Sequence, residues 1–134
     1  TISFNKMMNS ETRAWLDQAV ADLDKAKVLL NAKKYDGVVV FSQQTAEKAL
    51  KALYLFDFEK IPPKIHDLVE LSVKVKASQK VILVAESLSG TYLFSRYPGA
   101  APEIPVKYYN LEKAKKHLEE AEVILQWVKE KIQL

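Results

Sequence analysis

Leu16, Leu23 and Leu30 stand seven residues apart, with Ala19 and Ala26 between them. That spacing draws one apolar stripe along a helix from about Glu11 to Ala32, roughly 30 Å long, with polar residues on its other faces. Ser10 is placed to cap it. The stretch NAKKYDG reads as a turn, and a second helix is predicted from about Gly37 to Phe56, with Asp36 as its cap. Its opening, VVVF, is β-branched and by local preference suits a strand. The following SQQTAEKALKALYLF carries the helical pattern on without a break, and a long consistent pattern outweighs a short local preference.

Two prolines in DFEKIPPKI remove backbone donors and push the residues before them out of helical geometry, so this segment is a loop. A short helix from about Asp67 to Lys76 follows. A fourth is predicted from about Gln79 to Phe94, capped by Ser78, with Val81, Val84 or Ala85, Leu88 and Tyr92 facing inward. Gly90 weakens it near its end, by about 1 kcal/mol relative to Ala. The last helix has the clearest pattern. Asn110 caps it, and Leu111, Ala114, Leu118, Ala121, Leu125, Val128 and Ile132 recur three or four residues apart. Four long amphipathic helices and one short one, joined by modest loops, predict an all-α fold: an up-and-down four-helix bundle with an additional short helix.

Composition narrows the function classes. A chain of 134 residues is one domain, with its core over about residues 10–132. At that length it buries roughly two-thirds of the surface of its unfolded chain and needs no staples. The absence of cysteine excludes disulfides, thiolate zinc sites and cysteine nucleophiles, and fits a cytoplasmic location. No apolar run approaches the ~20 residues that span a bilayer, and TISFNKMMNSETRAW lacks the basic start and apolar middle of a secretion signal. The net charge is +3, but acids and bases interleave: residues 1–60 hold nine basic and eight acidic side chains. A duplex-DNA binder needs many cations on one face, which this pattern does not supply. With three glycines in the chain there is no glycine-rich phosphate loop.

Three places remain where chemistry could sit. In SQQTAEKALKALY, Gln44, Glu47, Lys48 and Lys51 are three or four apart and share a face, either solvated or turned to a groove or partner. His66, in PKIHDLVEL, stands where the short helix opens. Its ring either satisfies exposed amides there, lies against Tyr and Pro side chains, or acts as a base. The other histidine, His117, lies among Lys and Glu, and the two give no zinc-site spacing, so no metal and no cofactor is expected. The third place is LFSRYPGAAPEIPVKYY, where the helical pattern stops and one of the two arginines meets three prolines and three tyrosines. Arg96 beside Tyr97, with Tyr108 and Tyr109 entering the last helix, suits a bidentate grip on a phosphate with a base stacked on a ring. It equally suits a cap on the last carbonyls of the fourth helix, with the tyrosines packed under a proline-stiffened loop.

The four stretches FSQQTAEKALKALY, IPPKIHDLVEL, YLFSRYPGA and YYNLEKAKKHLEEAEVIL, in this order and spacing over about residues 10–130, resemble a HEPN domain, the higher-eukaryote and prokaryote nucleotide-binding family. The resemblance implies a helical bundle that forms homodimers. It puts Gln44, Glu47, Lys48, His66, Tyr92, Arg96, Tyr97 and Pro98 on recurrent family positions. It also implies a link to nucleotides or RNA, and pairing with a minimal nucleotidyltransferase in toxin–antitoxin or related systems. Members that are metal-independent ribonucleases carry an Arg and a later His with four to six residues between them. Here Ala101, Pro102 and Glu103 follow Arg96 in those slots, and Gln18, Ala19 and Val20 follow Arg13. The expectation is therefore a non-catalytic module binding a nucleotide, RNA or nucleotidyltransferase. The alternatives are a ribonuclease with a rearranged Arg96/His66 site and a purely structural dimerisation module.

Overall fold

A computed structural model describes residues 7–133. All its regular elements are helices: α1 (Ser10–Asn31), α2 (Tyr35–Phe58), α3 (Leu68–Lys74), α4 (Gln79–Ser89), α5 (Thr91–Phe94), α6 (Pro105–Tyr108) and α7 (Leu111–Ile132). The predicted bundle is the observed one. Helix α2 is its centre, packed along both α1 and α7, while α4 leans on α7 and α3 on α4.

The position of α2 follows from its sequence. Thirteen of its 24 residues are buried, which a helix exposed on one side does not achieve. Ala46, Ala49 and Ala52 are fully buried and let neighbouring backbones come close, while Val38, Leu50 and Leu53 fill the space between them. From the other helices, Leu16, Leu68, Leu71, Leu88, Ile124 and Val128 complete the core. Truncating one of its leucines to Ala costs about 2–5 kcal/mol, because the close-packed surroundings relax only partly.

The ends of the helices differ from the sequence reading in instructive ways. Asn9, not Ser10, caps α1: its side-chain oxygen accepts the Thr12 amide at 2.8 Å, and Ser10 is already helical. Asp36 sits inside the first turn of α2, where its charge favours the helix dipole, and the cap position is Lys34. Ser78 and Asn110 do cap α4 and α7. Asp67 caps α3, accepting the Val69 and Glu70 amides. The predicted fourth helix is broken at Gly90 into α4 and the single turn α5. Val81, Ala85 and Leu88 face inward as expected and Val84 is half-buried, but Leu111, at the first position of α7, is exposed. The proline-rich connector holds one further turn, α6, which Pro105 starts with its preset backbone angle.

No helix among the described residues is long and apolar enough to cross a membrane.

Candidate functional site

Gln43 and Glu47 lie one turn apart on α2, and both are buried. The prolines of the α2–α3 loop bend the chain back over this turn and deliver His66. Its carbonyl accepts from Gln43 Nε2 at 3.5 Å, and its Nδ1 lies 2.9 Å from Glu47 Oε1. Gln43 Nε2 also donates to Glu47 Oε1 at 3.1 Å, and Lys51 Nζ to Oε2 at 3.0 Å. Burial pushes the Glu47 carboxyl up, but these bonds from His66, Gln43 and Lys51 outweigh it and hold the group below its ordinary value. Glu47 is therefore an acceptor. Its partner Nδ1 carries the hydrogen, and Nε2 of His66 is the nitrogen left for solvent or a ligand.

The short helix α5 supplies the rest. The Tyr92 ring stacks on the His66 ring, with centroids 4.3 Å apart and planes within 17°. One turn later Arg96 folds back, with its guanidinium carbon 4.0 Å from the centre of the Tyr92 ring. Nη1 donates to the Tyr92 carbonyl at 2.9 Å and, at 3.4 Å, to Ser95 Oγ, while Nη2 donates to Gln43 Oε1 at 2.8 Å. Arg96 thus caps a carbonyl of the last turn of α5, one of the two expected readings, while part of its fork stays turned away from the helix. Desolvation lowers its pKa from the ordinary value, and it remains charged at any physiological pH. A guanidinium has five N–H donors. Nε–H and the second Nη2 hydrogen make no bond to a described residue, so they can take an anion.

The structure brings Arg96, Tyr92, His66 and Glu47 together. Gln44 stands at the margin, its amide donating to Gln43 Oε1 at 2.9 Å. Lys48 is elsewhere: it pairs with Asp22 of α1, which is 1% exposed and also bonded by Gln18 and Lys25. Tyr97 and Pro98 are exposed beside the cluster. Gln43 is the member that the face assignment missed. Gln43, Glu47 and Lys51 are two successive steps of four, whereas Gln44 and Lys48 begin the adjacent stripe, and that difference was readable.

Residues 12–131 match the HEPN domain family. The chain belongs to the HEPN family. It is 31% identical, over 130 residues, to the Methanocaldococcus jannaschii protein named "Putative toxin MJ1304", a match covering 88% of this chain and 86% of that protein. Two solved structures share the HEPN bundle. TT1696 from Thermus thermophilus superposes with a TM-score of 0.84 at 30% identity, over 92% of this chain and 99% of that one. ST0689, described as an archaeal HEPN homologue, gives 0.77 at 32% identity, over 90% and 97%.

Proposed function

We propose that this HEPN domain is a binding module of toxin–antitoxin type that holds a phosphate of a nucleotide or RNA on Arg96. The observation that carries this reading is the guanidinium itself. It is fixed by Gln43 and by the Tyr92 carbonyl and laid on an aromatic ring, and it keeps unspent donors. Fixing the fork in advance reduces the entropy lost on binding. The half-exposed His66 ring, on the same Tyr92 platform, offers a surface for a base to stack on. Similarity to a protein named as a toxin supports the toxin–antitoxin setting.

Leu93, Phe94, Tyr97, Ile104, Val106 and Leu111 are all exposed large apolar side chains within residues 93–111. Such a concentration supports a protein-facing rim beside the site, with a second copy as occupant and a minimal nucleotidyltransferase as partner of the assembled module. Light scattering tests the dimer: a monomer at micromolar concentration contradicts it. Binding is tested by titrating single-stranded RNA and nucleoside phosphates into the wild type and Arg96→Ala. Loss of about tenfold or more in affinity supports the site, and equal affinity removes it.

The shared Tyr92 platform also favours a second reading, metal-independent RNA cleavage, with His66 Nε2 as proton acceptor and Arg96 on the phosphate. Incubation with RNA in the presence of a chelator decides it. Cleavage that His66→Ala abolishes supports this reading, and intact RNA retires it.

A further inference from the structure

A cavity of about 310 Å³ lies on another face of α5, between the α4–α5 break and the start of α7. Its lining includes Phe94, Tyr108, Tyr109, Lys113, Lys116 and His117, and none of these belongs to the Arg96 cluster. Its size is at the lower end of small-molecule pockets.

Two of its polar groups are spare. Tyr109 is 4% exposed, and its hydroxyl makes no hydrogen bond to a described residue. Burial pushes that phenol well above its ordinary value, so it is a neutral O–H donor at every working pH. The ring is buried but the hydroxyl itself reaches solvent, so it is free to donate to a ligand acceptor. His117 is also nearly buried. Its Nδ1 lies 2.6 Å from Glu120 Oε1, which fixes the ring and leaves Nε2 without a described partner.

Cations and ring faces complete the lining. Lys113 Nζ is 3.7 Å from the centre of the Tyr108 ring and donates to the Tyr108 carbonyl at 3.2 Å, which spends one of its three hydrogens. Lys116 is exposed at the rim. Glu120 is the acid behind His117, and its Oε1 is taken up by the ring Nδ1. The Phe94 and Tyr108 rings meet edge-on at 5.9 Å, and Tyr108 and Tyr109 at 5.0 Å, forming an aromatic corner.

We propose that this cavity is a second binding site, for a small phosphate monoester carried on a planar ring. The phosphate sits between Lys113, Lys116 and the Tyr109 hydroxyl, His117 donates from Nε2 when its ring is protonated, and the ligand ring lies in the aromatic corner. Adenosine 5′-monophosphate and a simple aryl phosphate share this chemistry.

The chain's two histidines make the test direct, because their ring-proton NMR signals are few and His66→Ala assigns them. Phenyl phosphate, adenosine 5′-monophosphate and inorganic phosphate are titrated separately. A saturable shift of the His117 signal by either ring-bearing phosphate, with inorganic phosphate at least about tenfold weaker, supports the site. The better of the two ring ligands identifies the source. Tyr109→Phe removes only the unpartnered hydroxyl, so it keeps the wild-type melting temperature and weakens binding about threefold or more. The doubly substituted Lys113→Gln, Lys116→Gln protein keeps its helical circular dichroism and loses about tenfold or more. Arg96→Ala removes a charge within electrostatic reach of Tyr109 but no group lining the cavity, so it weakens this binding by no more than about threefold, which separates it from the function proposed above. An unmoved His117 signal at millimolar ligand overturns the proposal. So does undiminished binding by the double variant, or loss of the His117 shift in Arg96→Ala.

Discussion

Arg96 and Gln43, 53 residues apart in sequence, are joined by a 2.8 Å hydrogen bond from the guanidinium to a side chain that is itself fully buried. This contact ties the irregular connector after α5 to the central helix. Gln43 Nε2 meanwhile faces Glu47 and the His66 carbonyl, so one amide orients both arms of the site.

Gln43→Leu is isosteric enough to keep the core filled, but it strips Arg96 and Glu47 of a buried partner. Urea denaturation is expected to show a loss of about 2–3 kcal/mol. An unchanged midpoint contradicts the linking role given to this side chain.

Acid should unfold the protein through its buried carboxylates. For Glu47 and for Asp22, burial pushes the pKa up, and hydrogen bonds and cationic partners outweigh it, leaving both below their ordinary values of 4.5 and 3.8. A folded pKa below the unfolded one means stability that is fully present above the unfolded value. It is lost as pH falls through the folded value. Unfolding free energy should therefore hold level above about pH 5 and decline below about 4.5. Asp22→Asn and Glu47→Gln should each show a shallower acid slope than the wild type. A wild-type curve that rises on acidification opposes this.

Lys48 separates stability from binding. Lys48→Ala removes a charged partner of a carboxylate that is 1% exposed, so it is expected to cost about 1–3 kcal/mol. Because Lys48 turns toward α1, its loss should leave RNA or nucleotide affinity within about twofold. A tenfold drop in affinity in a well-folded variant would return Lys48 to the site.

The glycines divide in the same way. A Cβ at Gly37 meets Leu29 Cδ1 at 3.0 Å, where α2 starts against α1, so Gly37→Ala should gain less than Gly90→Ala because the half-buried Leu29 side chain must move aside. At Gly90 the nearest atoms are 3.9 Å away and the backbone is right-handed. Gly90→Ala should therefore gain about 0.5–1 kcal/mol. Gly99 has space around it but sits at φ +89, and Gly99→Ala should lose about 1 kcal/mol to strain. Thermal melts of the three variants check the order.

The bundle was legible in the sequence because its helices are long and their apolar stripes regular. Thus the β-branched run at Val38–Val40 did not hide α2, and Ala114 to Ile132 faced the core as spaced. The site was half legible. Arg96 and His66 stood out where the helical pattern stops, whereas Tyr92 was read as part of the inward stripe of the fourth helix and joined them only through the family resemblance. That they meet depends on how the Pro62–Pro63 loop folds back over α2 and how Gly90 breaks the α4 axis, neither of which periodicity encodes. Gln43 reads as an ordinary polar residue beside Gln44, and only the burial of its stripe distinguishes them. Tyr109 and His117 likewise meet, at 6.3 Å between ring centroids, only because α7 starts beside α5.

The chain has two arginines, and they supply their own control. Arg13 is exposed on α1, 4.0 Å from Asp17, whereas Arg96 is held over Tyr92. The most direct measurement compares the affinity of a labelled single-stranded RNA for the wild type, Arg13→Ala and Arg96→Ala at one fixed salt concentration. The two variants remove the same charge. Near-wild-type binding is expected for Arg13→Ala and a loss of about tenfold or more for Arg96→Ala. Equal, small losses in both would mean that only net charge matters, and would contradict a phosphate site at Arg96.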